Sequence, residues 1–394
     1  MTLKFIDQID LTGKTVLIRG DLDVPLDEKK NVTDDTRLKG LVPSIEYALK
    51  QNAKVLILGH AGRPKGTKKP EFSLKPMATR LGILLKKEVR LAPDCIGPAV
   101  VDAIGALPPG GVLMLENVRF YAEEEQNDPA FGRELAGLCD VYINDAFATS
   151  HRAHASVEAA ARAATVKAGG FTLKRELEFF SKALENPARP LIAIFGGAKV
   201  STKLAAIRNV GKRANKILIG GAMANTFFAA QGHGVGKSLF ESELLDTAIE
   251  IEDELKKSGC QLVLPIDVVI AKALKPDLPI QAVSIDQIPS DQMALDIGPK
   301  SCLHFAQELK GAATIVWNGP MGAFETHNFQ TGTFFIIDEL ARSKALTVVG
   351  GGDTDAALHM KHAFDKMGYV STAGGAFLQL LEGLPLPAVE ALKA

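Results

Sequence analysis

Leu346-Thr-Val-Val-Gly-Gly-Gly-Asp-Thr354 is a short β-branched run that breaks into three glycines, an acid and a hydroxyl before a helical pattern begins. Its physical reading is a buried strand, a turn whose backbone can approach a ligand closely, and a helix N-terminus ready for an anion. Asp353 stands beside those amides, where its carboxylate competes with a phosphate unless a cation lies between them. The stretch therefore points to a metal-bound phosphate. One such loop also serves as a plain connection in α/β domains, so the weight falls on repetition. Leu191-Ile-Ala-Ile-Phe195 enters Gly196-Gly-Ala-Lys-Val-Ser-Thr-Lys203, Ile217-Leu-Ile219 enters Gly220-Gly-Ala-Met-Ala-Asn225, and Thr314-Ile-Val-Trp317 enters Asn318-Gly-Pro-Met-Gly322. Four strands that end in small, glycine-bearing loops on one edge make a nucleotide cradle of backbone amides, with Lys199 and Lys203 as its point charges. Taken alone, Lys203 reads as an exposed helix residue.

The first half of the chain ends its strands differently. Lys14-Thr-Val-Leu-Ile-Arg19 leads into Gly20-Asp-Leu-Asp-Val-Pro25, and Lys54-Val-Leu-Ile-Leu58 into Gly59-His-Ala-Gly-Arg-Pro64. Val112-Leu-Met-Leu115 leads into Glu116-Asn-Val-Arg119, and Val141-Tyr-Ile-Asn144 into Asp145-Ala-Phe-Ala-Thr-Ser-His-Arg152. Helical segments at 41–51 and 76–86 lie between them, so strands alternate with helices and the sheet is expected to be parallel, with all exit loops on one edge. His60, Arg63, Arg119, His151 and Arg152 lie just past strand ends, and Arg37 lies on a further loop. Any one of these arginines reads as a surface charge. Four gathered on one edge repel one another unless an anion compensates them, and guanidinium forks suit phosphate and carboxylate. A small, multiply charged anion is the expected ligand. Asp21 and Asp23 either hydrogen-bond a substrate hydroxyl or orient an arginine, and His154 reads as structural.

At 394 residues the chain is too long for one ordinary core, and a prior of about 150 residues per domain favours two domains. A formal net charge of −1 offers no global attraction to nucleic acid or to an anionic membrane, so an anion site must be a local cluster. Cys95, Cys139, Cys260 and Cys302 are widely separated and read as small core residues, not as a disulfide framework or a zinc site. The opening ten residues carry two acids and no apolar stretch, and no later run approaches about 18 apolar residues, which sets a cytoplasmic expectation. Gln231-Gly-His-Gly-Val-Gly-Lys-Ser238 ends like a P-loop, but it has Gln231 where that pattern needs glycine, and it follows a helical stretch where a strand is needed. It reads as a helix exit. A dinucleotide fingerprint is absent from every strand end named above, and no Ser-His-Asp or Cys-His set supports a covalent mechanism.

Residues 171–184 form an amphipathic helical pattern between Gly169-Gly170 and Asn186-Pro-Ala-Arg-Pro190, which suits a rigid connector. The expected organisation is a basic domain at 1–170, a connector helix at 171–188, a nucleotide domain at 189–370 and a returning segment at 371–394. In that segment Tyr369-Val-Ser-Thr-Ala-Gly-Gly-Ala376 precedes a short helix, and the amides of Gly374 and Gly375 could meet an anion where the two halves face each other.

With these motifs in order, the sequence resembles the phosphoglycerate kinases over residues 14–389. The resemblance rests on residues 19–25, 60–64, Leu115-Glu-Asn-Val-Arg-Phe120, 144–156, 196–203, 317–325, 350–354 and 371–376. It implies two doubly wound parallel-sheet (Rossmann-like) domains facing each other across a cleft, joined by a connector helix. It further implies reversible phosphoryl transfer between 1,3-bisphosphoglycerate and ADP with Mg²⁺, in a monomer whose partners are small molecules. Asp21, Asp23, Arg37, His60, Ala61, Gly62, Arg63, Arg119 and Arg152 are then expected to hold the glycerate. Ala198, Lys199, Lys203, Asn318, Pro320, Glu325, Gly351, Gly352, Asp353 and Thr354 are expected to hold the nucleotide, with Asp353 on the metal. Arg37, Lys199, Lys203, Gly374 and Gly375 are expected around the transferring group. Because reacting atoms must come within about 3 to 3.5 Å, closure about the connector is expected once both substrates are bound.

The sequence departs from the family at several of these positions. Asp23 stands where the family usually has Asn, Ala61 replaces a usual Leu, Gln379 replaces a frequent Glu, and Ala148, Ala222 and Ala373 replace usual glycines. Each alanine requires a negative φ at its site. Two other classes share the layout: a non-catalytic two-domain protein that closes over one anion, and a nicotinamide dehydrogenase on paired dinucleotide folds. The first needs only one ligand. The second lacks its fingerprint here.

Overall fold

Residues 3–393 are described by the computed structural model of the chain, and they form two separately compact units. The first takes the residues up to 177 together with those from 385 onward, and the second takes 178–384. Among the described residues, no helix is long and apolar enough to cross a membrane.

The first unit is built on β1 (Thr15–Arg19), β2 (Lys54–Leu58), β3 (Val89–Leu91), β4 (Val112–Met114), β5 (Val141–Asn144) and β6 (Lys167–Gly169). They lie in the order β3-β4-β2-β1-β5-β6, with every pair parallel. Helices cover the sheet, which is why its strands read as near-continuous apolar runs. Val16, Ile18, Val55 and Ile57 pack on one face with Leu38, Leu41 and Ile45 of helix Thr36–Lys50 and with Met77 and Leu81 of helix Lys75–Leu85. The strand order reverses between β1 and β5, which opens a crevice outside their C-terminal ends.

The second unit contains β7 (Leu191–Phe195), β8 (Lys216–Ile219), β9 (Gln261–Val263), β10 (Asp267–Ala271), β11 (Gln281–Ser284), β12 (Met293–Ile297), β13 (Thr314–Asn318), β14 (Leu346–Gly350) and β15 (Tyr369–Ser371). Six of them form a parallel sheet in the order β15-β14-β13-β7-β8-β9. The two-residue period of a strand sorts its side chains: Ala193, Phe195, Ile217 and Ile219 enter one core, and Ile192, Ile194, Leu218 and Trp317 the other. Here the order reverses between β7 and β13. The two parallel sheets match the α/β expectation. The separate antiparallel sheet β11-β10-β12 was not expected, because β11 is half exposed and shows no apolar alternation.

The connector begins as a regular helix, Phe171–Phe180, but it does not continue as one to residue 184. From Ser181 the winding widens, and Asn186 N donates to Ser181 O at 2.9 Å just before Pro187, which has no amide to extend the ladder. The start of the helix is fixed within the first unit. Asp145 Oδ1 accepts from the amides of Thr172 (2.7 Å) and Leu173 (3.1 Å), and Phe171 N donates to Ser44 Oγ at 2.9 Å. Gly170 leaves room for that carboxylate, since a Cβ there would sit 2.2 Å from Asp145 Cγ.

The return comes after residue 384. Helix Pro387–Lys393 buries Ala388, Val389, Ala391 and Leu392, and Ala388 N donates to Ser150 O at 3.2 Å. Residues 371–384, read from the sequence as part of the returning segment, instead make their contacts in the second unit: Phe377 packs into its core, and Leu381 O accepts from Asn209 Nδ2 at 2.9 Å.

Burial pushes the Asp145 carboxyl up to about 6 from its ordinary 3.8, with the nearby Asp21 adding to the effect. A group raised in the folded state contributes stability that is full below its unfolded value and lost as pH climbs through its folded one. The parent should therefore lose stability relative to Asp145→Asn as pH rises from about 4 to about 6, read as the difference between their urea midpoints. A difference that stays constant across that window would show that Asp145 is not the titrating group.

Candidate active site

At the β1/β5 crevice of the first unit, loops are tied to one another by acids. Asp21 is buried, its Oδ2 accepts from Ala148 N at 2.8 Å, and Arg19 Nη1 lies 3.6 Å from its Oδ1. Burial raises its carboxyl while Arg19 and Arg37 oppose the rise. Asp23, where an asparagine was the family habit, accepts from Gly62 N at 2.9 Å through its Oδ1 and from Arg37 Nη1 at 2.7 Å through its main-chain oxygen. It thus joins the loop after β1 to the loop after β2.

The arginines differ in how far they are spent. Arg19 is fully buried and turns inward, donating to Gly20 O at 2.7 Å and Ser156 Oγ at 3.2 Å. Arg119 is also buried. Its Nη1 donates to Gly62 O at 2.9 Å, its Nε makes no hydrogen bond, and the nearest carboxylate, that of Glu125, is 3.5 Å away. Burial works against its charge, as does the neighbouring Arg152. Arg152 donates from Nε to His151 Nε2 at 3.3 Å, which leaves the buried His151 Nδ1 without a partner. Arg63 is exposed and makes no hydrogen bond or ion pair among the described residues. His60 is buried with its Nδ1 2.9 Å from Arg19 Nη2, and Asn117 Nδ2 holds the main-chain oxygen of Ala61 at 2.8 Å. Unpaired donors, among them the buried Arg119 Nε, Asn144 Nδ2 and His151 Nδ1, thus gather at the exits of β4 and β5.

In the second unit the glycine loops are sewn together through their backbones. Gly196 N donates to Asn318 O (3.1 Å), Gly197 N to Pro320 O (2.9 Å), Gly221 N to Met321 O (2.9 Å) and Gly319 N to Thr354 Oγ1 (2.7 Å). Asn318 Nδ2 reaches Gly350 O at 2.8 Å, so the exits of β7, β8, β13 and β14 form one surface. Lys203 Nζ threads the β7/β13 reversal, donating to Gly196 O at 2.5 Å and Asn318 O at 3.0 Å. Only glycine fits at 319, whose φ is +99° and whose Cβ would lie 2.3 Å from that ammonium. Burial pulls Lys203 down to about 8, and Asp353 partly offsets the fall. Lys199, Ala198 and Glu325 are exposed on the same loops. Asp353, in the first turn of helix Gly352–Met360, is exposed and has no hydrogen bond or ion pair among the described residues. Gly374 lies beside Gly352, so Gly374 and Gly375 extend this edge within the second unit. The alanines at 148, 222 and 373 all sit at negative φ, which removes the conformational objection to them.

A model of the family described as phosphoglycerate kinase matches residues 6–384. The chain belongs to the phosphoglycerate kinase family. A protein of Geobacter sp. (strain M21) with that name is 50% identical over 394 residues, covering 100% of this chain and 99% of its own. Its counterpart in Desulfosudis oleivorans is 52% identical over 391 residues, 99% of each chain. Among solved structures, the phosphoglycerate kinase of Coxiella burnetii superposes with a TM-score of 0.92 at 41% identity over 100% of this chain and 99% of that one. That of Pyrococcus horikoshii OT3 gives 0.84 at 30% identity over 99% and 98%. As a phosphoglycerate kinase the chain is a phosphotransferase, with ATP and ADP as co-substrates.

One supporting residue of the kinase was invisible to sequence reasoning. Glu241 is buried and accepts from Ser201 N at 2.9 Å and Ser201 Oγ at 2.5 Å, fixing the Gly196–Lys203 loop from forty residues away. No local motif announces it. The recess beside these loops, lined by Gly221, Phe228, Pro265, Leu295 and Met321, likewise takes a wall from the unexpected β12.

A lysine pulled down to about 8 keeps its charge below that pH and loses it above. The kcat/KM profile of the kinase, which reports the free enzyme, should therefore fall above about pH 8, whereas Lys203→Arg should give a lower but flat profile across the same range. A parent profile flat to about pH 10, where an ordinary lysine begins to titrate, would remove Lys203 from the rate-determining charge.

Proposed function

We infer that the arginine edge of the first domain binds 3-phosphoglycerate, or the glycerate part of 1,3-bisphosphoglycerate, and that the glycine edge of the second binds ADP or ATP. The reaction is reversible phosphoryl transfer between the acyl phosphate and ADP. The observation that carries this assignment is the division of chemistry. Unspent guanidinium donors with three orphan nitrogens, on Arg119, Asn144 and His151, gather on one sheet edge, and stitched amides with a threaded lysine gather on the other.

Transfer of this kind asks a protein for positioning and charge neutralisation more than for covalent chemistry. Arg63, Arg119 and Arg152 hold the glycerate phosphate and carboxylate, and Asp21 and Asp23 keep the loops that carry them in register. Arg37 meets the transferring group from the glycerate side, Lys199 and Lys203 meet it from the nucleotide side, and the Gly374 and Gly375 amides supply donors beside Gly352. The attacking carboxylate of 3-phosphoglycerate is already an anion, so no general base is required. Ala198, Asn318, Pro320, Glu325 and Gly351 to Thr354 line the nucleotide side.

Asp353 fits a divalent cation that arrives with the nucleotide. It is a single exposed carboxylate with no hydrogen bond or ion pair, and no cluster of three metal-binding side chains exists, among the described residues. Such a site suits Mg²⁺, which keeps phosphate and water ligands and takes one or two carboxylates. When bound, the ion neutralises charge on the phosphate oxygens. Since each edge takes one substrate, turnover requires the ternary complex to bring them together, a motion assigned to the connector at 171–184 and the turn at 371–376. The enzyme is proposed to act as a monomer in the cytoplasm.

Calorimetry separates the two edges. Arg63→Ala, Arg119→Ala and Arg152→Ala should each weaken 3-phosphoglycerate binding by about 1.5 to 3 kcal/mol and leave nucleotide binding as in the parent. Asp353→Ala should do the reverse, and EDTA should abolish turnover in a coupled assay with ATP and 3-phosphoglycerate. Equal losses for both ligands in every variant would sink the division.

A further inference from the structure

Behind the arginine edge lies a buried chain of polar groups that touches no solvent. Glu124, in the short helix Ala122–Glu125, is fully buried, as are Ser156, Arg19 and Tyr142. Ser156 donates twice to Glu124, from its hydroxyl to Oε1 at 2.6 Å and from its amide to Oε2 at 2.7 Å. Tyr142 donates from its hydroxyl to Ser156 O at 2.7 Å and pins the residue from the other side. With its proton committed to Glu124, the Ser156 hydroxyl offers a lone pair, which accepts from Arg19 Nε at 3.2 Å. Arg19 passes the order on through Nη2 to His60 Nδ1 at 2.9 Å.

The direction of this chain is fixed by what each group can do. A guanidinium has donors and no acceptor, so His60 Nδ1 must accept. The ring proton is then on Nε2. His60 stands in the loop Gly59 to Pro64 that also carries Gly62 and Arg63, so the ring has one defined N–H to give from the same loop as those residues of the arginine edge.

We propose that Glu124, acting through Ser156 and Arg19, is a positioning residue for the glycerate site, and that it holds His60 in the tautomer with its proton on Nε2. The proposal rests on the assignment of the glycerate to this edge. Protonating the ring would cost the Arg19 hydrogen bond, because Nδ1 would become a donor facing a donor. The charges around it act the same way: burial first, then Arg19 from β1, Arg119 from the loop after β4, and His154 and Arg152 from the loop after β5 hold its protonation well below the ordinary 6.5. The two acids in reach of Arg19 have different tasks. Asp21 ties its guanidinium to the crevice, whereas Glu124 orients Nε through the hydroxyl. Recognition of the glycerate by His60 is thereby independent of the histidine titration range, and the ring donates to an oxygen of the substrate as a neutral group.

The test reads the ring directly. Long-range ¹H–¹⁵N spectra of the histidine-labelled enzyme, with the His60 signals identified by their loss in His60→Gln, should show the Nε2–H pattern in the ligand-free parent, unchanged from about pH 5 to 8. In Ser156→Ala and Glu124→Gln the pattern should shift toward a mixture of tautomers that titrates. KM for 3-phosphoglycerate should rise roughly five- to tenfold, the scale of weakening one hydrogen bond, with kcat and the nucleotide KM little changed. Ser156→Thr, which keeps the hydroxyl, should restore the parent spectrum. An Nδ1–H pattern or a mid-range titration in the parent overturns the proposal without any variant having to fold. Variants that lower the melting temperature but leave the His60 spectrum intact also overturn it, since they reduce Glu124 to packing. If the spectra shift as expected and His60→Gln still binds 3-phosphoglycerate like the parent, the relay stands and the assignment of the glycerate to this edge fails.

Discussion

In a sheet whose strands all run one way, every exit loop emerges on the same edge, and both sheets of this chain place their chemistry by that constraint. The reversal of strand order does the rest. Between β1 and β5, and again between β7 and β13, helices diverge to opposite faces and leave a crevice that only loops can line. In the second domain the crevice is closed from below by Lys203, whose ammonium joins the carbonyl ends of the two strands that flank it. The hydrogen bonds that hold this cation all go to main-chain carbonyls, and Asp353 acts on it only as a more distant charge.

The same edge position yields arginines of three kinds. Arg19, the last residue of a central strand, is consumed by internal partners, and its contribution is to orient others. Arg119 keeps one buried nitrogen uncommitted, and Arg63 keeps all of its donors. A graded supply of this sort lets the domain fold around some of its positive charge while the remainder keeps its donors unpaired. Buried guanidinium groups tolerate this because their charge is spread over five donors, one of which meets a main-chain oxygen in Arg19 and in Arg119 alike.

Much of this was legible in the sequence because most strands that matter for placement are four or five residues long and nearly all apolar, as in Val55 to Leu58 or Leu191 to Phe195, and the three-residue β4 is lengthened in the sequence by the apolar Leu115. Glycines at 196, 220, 319 and 351 advertised close backbone approach, and the arginines advertised charge. The illegible parts have physical reasons. β3, β6, β9 and β15 have three residues each, too few for a period to register. Glu124 with Ser156, and Glu241 with Ser201, are partnerships across 32 and 40 residues that only the folded chain creates. Nor does a sequence distinguish an arginine that turns inward at a strand end, such as Arg19, from one that stays available, such as Arg119.

Helix Pro387–Lys393 belongs to the first domain, yet the whole of the second domain is synthesised before it. During translation the second domain, continuous from 178 to 384, has every one of its strands available while the first still lacks the helix that covers Ser150 and buries Ala388, Val389, Ala391 and Leu392. The helix that secures Ser150, the residue directly before His151 and Arg152, is thus made after every strand of the second domain, so the first domain draws support for its arginine edge from residues made later than its neighbour.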